Sequence, residues 1–232
     1  MKLNNNLFKS YEISKSKPKI IIYIANGIMI DPVESIKEHN FPENSNVYLI
    51  YYHLAPSLKI LVHEWLKHIE NITQESTKII LVGFSAGALV IHRMVSILSE
   101  LNIEVNIRTI SISPAHLKNF NMLKEFTVDF LENLPDKIGK RMLKRLPWSG
   151  NYPLLSYDEI IEQLKLFRSD KIYENTLGVV DIIVIPYNDK LCCDVNFAKK
   201  HANDIRQING KHDIQTLPLV SIINNQLTTG EN

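Results

Sequence analysis

The chain of 232 residues has only two cysteines, Cys192 and Cys193, and they are neighbours in sequence. Adjacent residues are poorly placed for the geometry of a stabilising disulfide, so this scarcity points to a reduced, cytoplasmic protein. An excess of either charge is missing as well. Lys and Arg number 26 against 25 Asp and Glu, a net charge of +1, which removes any global case for nucleic acid or an anionic membrane as a partner. No apolar run is long enough to span a bilayer, because Ile20 to Ile24 gives way at once to Asn26 and Gly27. Met1 to Lys19 is rich in Asn and Lys and lacks an apolar segment ending at a small-residue cleavage site, so it does not read as a signal peptide.

Metal and nucleotide motifs are equally scarce. His63-Glu64-Trp65-Leu66-Lys67-His68 looks like a zinc-protease helix, but its histidines are five residues apart instead of four. That spacing turns a helix by roughly 140° beyond one turn, so the rings point apart and a solvated helix face is the simpler reading. With no other Cys or His cluster at ligand spacing, no metal is expected. Neither Gly-Lys-Ser/Thr nor G-x-G-x-x-G occurs, which disfavours nucleotide binding, and no cofactor is implied.

What is present is ordinary globular material, 45% apolar and 22% charged, enough for one well-buried domain over residues 1–232. Short β-branched and aromatic runs alternate with stretches of helical periodicity, which predicts an α/β fold with a mostly parallel sheet and helices on both faces. Strands are expected at Lys19–Ala25, Asn46–Tyr51, Lys78–Val82, Ile107–Ser113, Val179–Pro186 and Ile205–Asn209, with a weaker edge strand at Leu7–Ile13. Most are continuous apolar runs, as strands buried on both faces should be. Helices are expected at 32–39, 57–69, 86–101, 157–173, 194–203 and 217–226. The segment from Pro114 to about Pro153 breaks this alternation. Leu117, Phe120, Leu123, Phe126, Phe130 and Leu134 share one helical face there, which reads as a small helical lid or as helices on the sheet edge.

Gly83-Phe84-Ser85-Ala86-Gly87 matches G-x-S-x-G, and its context carries the weight. The run Ile79–Val82 precedes it and a helix from Ala86 follows, so the strand turns sharply and presents the Ser85 hydroxyl above the sheet. A serine hydroxyl needs a base to take its proton and a carboxylate to orient that base. His212 follows the last strand and the turn residues Gly210 and Lys211, whereas His201 falls inside a helix; His212 is therefore the expected base. Asp189 lies just beyond the C-terminal end of a buried strand and is the expected acid, with Asp194 the runner-up because it could instead cap a helix. Oxyanion donors are expected at Ala86 N–H and in Asn26-Gly27-Ile28-Met29, a glycine turn in which Ile28 is the second donor.

This constellation resembles the α/β-hydrolase superfamily over nearly the whole chain. The resemblance implies a Ser85–His212–Asp189 triad, an oxyanion hole from Ile28 and Ala86, and a serine esterase or thioesterase working through an acyl-enzyme. The sequence departs from the family where Asn26 replaces a common histidine and Tyr187 a common glycine. Phe84, Met29 and Phe126 are expected to line an apolar acyl pocket for a small or medium acyl group. Lys137, Lys140, Arg141, Lys144 and Arg145 form a basic stretch. It is either a solvated helix face or a docking patch for an acidic acyl carrier protein or the phosphates of coenzyme A. The substrate is thus a small-molecule or carrier-bound acyl ester. Two narrower readings stand beside it: a pimeloyl-carrier-protein methyl ester esterase of biotin synthesis, and a non-catalytic binding protein on a hydrolase fold.

Overall fold

The computed structural model describes residues 7–14, 18–73, 77–115, 133–143, 154–170, 172, 177–189, 195–211 and 217–228. Seven strands among them form one sheet: β1 (Phe8–Glu12), β2 (Ile20–Ala25), β3 (Ser45–Ile50), β4 (Lys78–Phe84), β5 (Ile107–Ile112), β6 (Val180–Pro186) and β7 (Ala202–Ile208). Their spatial order is β1-β3-β2-β4-β5-β6-β7. The edge strand β1 runs antiparallel to β3, and the other pairs are parallel. The described helices are α1 (Pro32–Ile36), α2 (Leu58–Ile72), α3 (Ala86–Glu100), α4 (Asp136–Leu143), α5 (Tyr157–Ser169), α6 (Val195–His201) and α7 (Leu219–Thr228), with a 3-10 turn at Tyr52–Leu54.

Alternation along each strand separates the interior into two cores. Ile21, Tyr23, Leu81 and Ile183 face one side, where Trp65 of α2, Leu89 of α3 and Phe167 of α5 cover them. Ile22, Ile24, Val82 and Val184 face the other, covered by Ile36 of α1 and Leu219 and Ile223 of α7. Every residue of β2 and β3 is buried, which is why these strands read as unbroken apolar runs.

Most expected elements lie within a few residues of the observed ones. The larger differences have local causes. Helix α1 ends at Ile36 instead of 39, with His39 N–H closing onto Ile36 O at 3.0 Å. Strand β7 starts at Ala202, directly after α6. The sequence predicts that Ala202 and Asn203 close the helix at 194–203 and that Asp204 falls between elements, but parallel pairing with β6 recruits this partly exposed edge, with Val180 opposite Ala202 and Ile182 opposite Asp204. Within the segment from 114 to 153 the structure describes only residues 114–115 and 133–143, including α4. The face from Leu117 to Phe130 lies outside the described residues.

Candidate active site

The chain leaves β2 toward β3 on one side of the sheet and leaves β4 toward β5 on the other. Ala25 pairs with Gly83 at the C-terminal ends of β2 and β4, so the loops that follow diverge from a topological switch point, where open α/β sheets bind ligands. Ser85 and Gly27 belong to these two loops.

Ser85 has φ 54° and ψ −118°, a conformation L residues rarely adopt and one that costs on the order of 1–3 kcal/mol. Three hydrogen bonds hold it there. Its N–H donates to Ile112 O at 2.9 Å, and its carbonyl accepts from Ala88 N–H and Ala115 N–H, both at 3.1 Å. The side chain is partly exposed. Helix α3 begins at the next residue, so Ala86 N–H lies in the first helical turn, which has no earlier carbonyl of its own helix to bond.

The two glycines of the motif are space requirements. A Cβ on Gly83 would stand 2.5 Å from Ala88 Cα, and one on Gly87 would collide with the carbonyl oxygens of Ala25 and Asn26. Helix α3 therefore lies directly against the end of β2. Gly27 faces the serine: a Cβ there would be 3.2 Å from Ser85 Cβ and 3.7 Å from Ser85 Oγ.

This loop is not the glycine turn expected from sequence. The left-handed residue in it is Met29, with φ 71°, and Gly27 lies outside that region. A Cβ on Gly27 would press on Ser85 Cβ closely enough to require a shift of a few tenths of an ångström, while the reversal falls on Met29, a residue fixed by other contacts. Met29 N–H donates to Gln163 Oε1 at 2.8 Å, and Met29 O accepts from Leu155 N–H at 2.9 Å. Asn26 is buried and donates from Nδ2 to Pro32 O at 3.1 Å and to Ser35 Oγ. Its backbone carbonyl accepts from the Tyr52 hydroxyl at 3.1 Å.

Asp189 is partly exposed, in a tight turn off the end of β6 where its N–H reaches Pro186 O at 3.1 Å. The turn is joined to the loop after β7: Tyr187 N–H donates to Ile208 O at 2.9 Å and Asn188 N–H to Gly210 O at 3.1 Å. The chain positions flanking Asp189 and leading to His212 are thus stitched together. His212 and Asp194 themselves lie outside the described residues.

No protein-family model matches the sequence, and no curated protein sequence matches it. Solved structures do. YbtT, a type II thioesterase from the yersiniabactin biosynthetic pathway, has 10% identity over 95% of this chain and 96% of its own, with a TM-score of 0.64. BioG from Haemophilus influenzae has 16% identity over 88% and 92%, with a TM-score of 0.57. Human thioesterase 2 has 16% identity over 91% and 94%, at 0.57. The chain has the α/β-hydrolase fold.

On that fold, Phe84 and Met29 are 2% and 1% exposed and belong to opposite cores, and Ile28 is buried beside Gly27. Phe126 lies outside the described residues. Lys137 and Arg141 of the basic stretch are exposed on α4; the side chain of Lys140, and residues Lys144 and Arg145, are not among those described. His63 is exposed, while His68 meets the Tyr23 hydroxyl at 2.7 Å through Nδ1, so the two rings diverge as the spacing requires. Among the described residues there is no cluster of metal-ligating side chains, and no helix is long and apolar enough to cross a membrane. Sequence reasoning missed Tyr52 and Gln163, whose polar groups bond the loop facing Ser85. The only available signal was a glutamine among the apolar positions of α5.

Proposed function

We propose that this chain is a serine hydrolase that cleaves a carboxylic ester or thioester of a small or medium acyl group. The observation carrying the proposal is Ser85, held in a strained strand-to-helix turn at the switch point with Gly27 leaving space above its hydroxyl.

In this reading Ser85 Oγ attacks the acyl carbon while His212 takes its proton. The carbonyl electron pair moves onto oxygen, which the N–H groups of Ala86 and Ile28 stabilise by donating hydrogen bonds to it. Collapse breaks the bond to the leaving oxygen or sulfur, and His212 returns the proton to it. Water then attacks the acyl-enzyme by the same route, releasing the carboxylic acid and restoring Ser85. Asp189 orients His212 and stabilises its charged form, and the hydrogen bond from Asn188 to Gly210 supports their approach. Likeness to two thioesterases supports a thioester among the substrates. The exposed Lys137 and Arg141 support a carrier-bound or coenzyme-bound acyl group, with a cytoplasmic acidic acyl carrier protein as the partner.

A fluorophosphonate probe and a series of p-nitrophenyl, coenzyme A and carrier-bound acyl esters test this. Labelling and turnover should both vanish in Ser85→Ala. Folded wild-type protein that takes no label and turns over no ester would instead be a binding module. Asp189→Asn should lose at least a hundredfold in kcat; if only Asp194→Asn does so, the acid is Asp194.

A further inference from the structure

We propose that Gln163 is a positioning residue for the oxyanion loop, acting with Tyr52 as a buried brace that sets the direction of the Ile28 N–H. The proposal rests on the serine-hydrolase reading above.

Gln163 is 2% exposed, and a buried amide must satisfy its polar atoms or be strongly destabilising. Here one side chain engages both ends of the same loop. Its Oε1 accepts from Met29 N–H at 2.8 Å, and its Nε2 donates to the Tyr52 hydroxyl at 3.3 Å. That hydroxyl in turn donates to Asn26 O at 3.1 Å. Residues 26 and 29 are thereby tied to one amide, and Gly27, which lies between them and leads into Ile28, is the residue that faces Ser85.

The brace has a rigid mount. Ile160, Ile161, Leu164 and Phe167 of α5 are buried in the core, and the Phe167 ring meets Tyr52 with centroids 5.9 Å apart. It also has work to do, since a left-handed backbone is unfavourable for a non-glycine residue and Met29 is held there at φ 71°. Burial pushes the Tyr52 hydroxyl pKa upward, so it remains a neutral donor. An amide serving stability alone could bond any loop. This one spans the four residues whose middle peptides define the hole.

Hydrogen bonds from the hole form well to a developing oxyanion and poorly to a developing thiolate. A matched pair of substrates, an ester and its thionoester with sulfur in place of the carbonyl oxygen, therefore isolates the hole. In Gln163→Leu the ester kcat should fall about 10- to 100-fold, as misplacement near an ångström does, with KM little changed and the thionoester rate nearly unaltered. Tyr52→Phe removes one hydroxyl and should show the same pattern at smaller amplitude. This second variant serves if Gln163→Leu does not fold. An unchanged kcat with a lower Tm, an effect on KM alone, equal losses on both substrates, or failure of both variants to fold would overturn the proposal. If wild-type protein neither takes the fluorophosphonate label nor turns over ester, the hydrolase reading itself fails and the brace has no oxyanion to serve. Turnover lost in Ser85→Ala but retained in Gln163→Leu removes the brace alone.

Discussion

Gly27→Ala separates activity from stability with one methyl group. Its Cβ would stand 3.2 Å from Ser85 Cβ and 3.7 Å from Ser85 Oγ. The first contact is tight and requires a shift of a few tenths of an ångström. Gly27 is outside the left-handed region, so alanine fits the backbone and restricts the unfolded chain, a gain of about 0.4–1 kcal/mol that offsets the crowding. The Tm should therefore move by no more than about 4 °C, the shift that 1 kcal/mol produces in a domain of this size. Activity is another matter. A reacting carbonyl must approach Oγ to roughly 3–3.5 Å, and the new methyl lies against that same oxygen on the side of the oxyanion loop. A hundredfold loss in kcat/KM, about 2.7 kcal/mol of transition-state stabilisation, is the expected outcome, with slower fluorophosphonate labelling. Steady-state kinetics on the best ester, beside a thermal melt, measure both. Full activity with an unchanged melt would refute the placement of Gly27 over the Ser85 hydroxyl.

The contrasting substitution is Gly87→Ala, whose Cβ would run into the backbone carbonyls of Ala25 and Asn26. Backbone cannot yield as a side chain does, so the loss should be at least the roughly 1–3 kcal/mol of an overpacked core, read as a lower urea midpoint. A second prediction concerns pH. His92 is buried between Ser111 Oγ at 3.1 Å and Gly178 O at 2.8 Å, and burial lowers its pKa from 6.5 to about 4. The unfolded chain then binds this proton first as pH falls, so the contribution is present above about pH 6.5 and is lost progressively toward pH 4. Between pH 7 and pH 5 the loss should be roughly 2 kcal/mol. His53, His68 and His201 are shifted the same way by burial and add to it. Urea unfolding at the two pH values measures the difference, and His92→Gln should flatten it; equal stability at pH 5 and pH 7 would contradict the assignment.

The parts of the fold legible in the sequence are those whose cause is local. Ile20–Ala25 and Lys78–Phe84 are apolar on both faces because both faces are covered, and no helix pattern competes with them. The turn at Ser85 was legible because strand, small residues and helix follow one another along the chain. Strand β7 was less so: Ala202 and Asn203 continue the helical run before them and Asp204 is a poor strand former, and they join the sheet because β6 offers a parallel edge. The 3-10 turn at Tyr52–Leu54 gives no periodicity to detect.

The oxyanion loop shows why the remainder was hidden. Asn26-Gly27-Ile28-Met29 invites the view that the glycine supplies an unusual backbone angle, since that is glycine's commonest use in a turn. The unusual angle belongs instead to Met29, and what a side chain at Gly27 would crowd is Ser85, 58 positions away along the chain. The contact that stabilises Met29 comes from Gln163, a separation of 134 residues, and the hydroxyl completing the brace lies 111 residues from that glutamine. Neither separation leaves a mark in composition or spacing. Local reasoning can locate the turn that presents Ser85, because a sharp strand-to-helix turn is built from adjacent residues. The geometry of the loop that faces it is assembled by tertiary contacts, and a buried glutamine on an otherwise apolar helix face was the one local irregularity pointing to them.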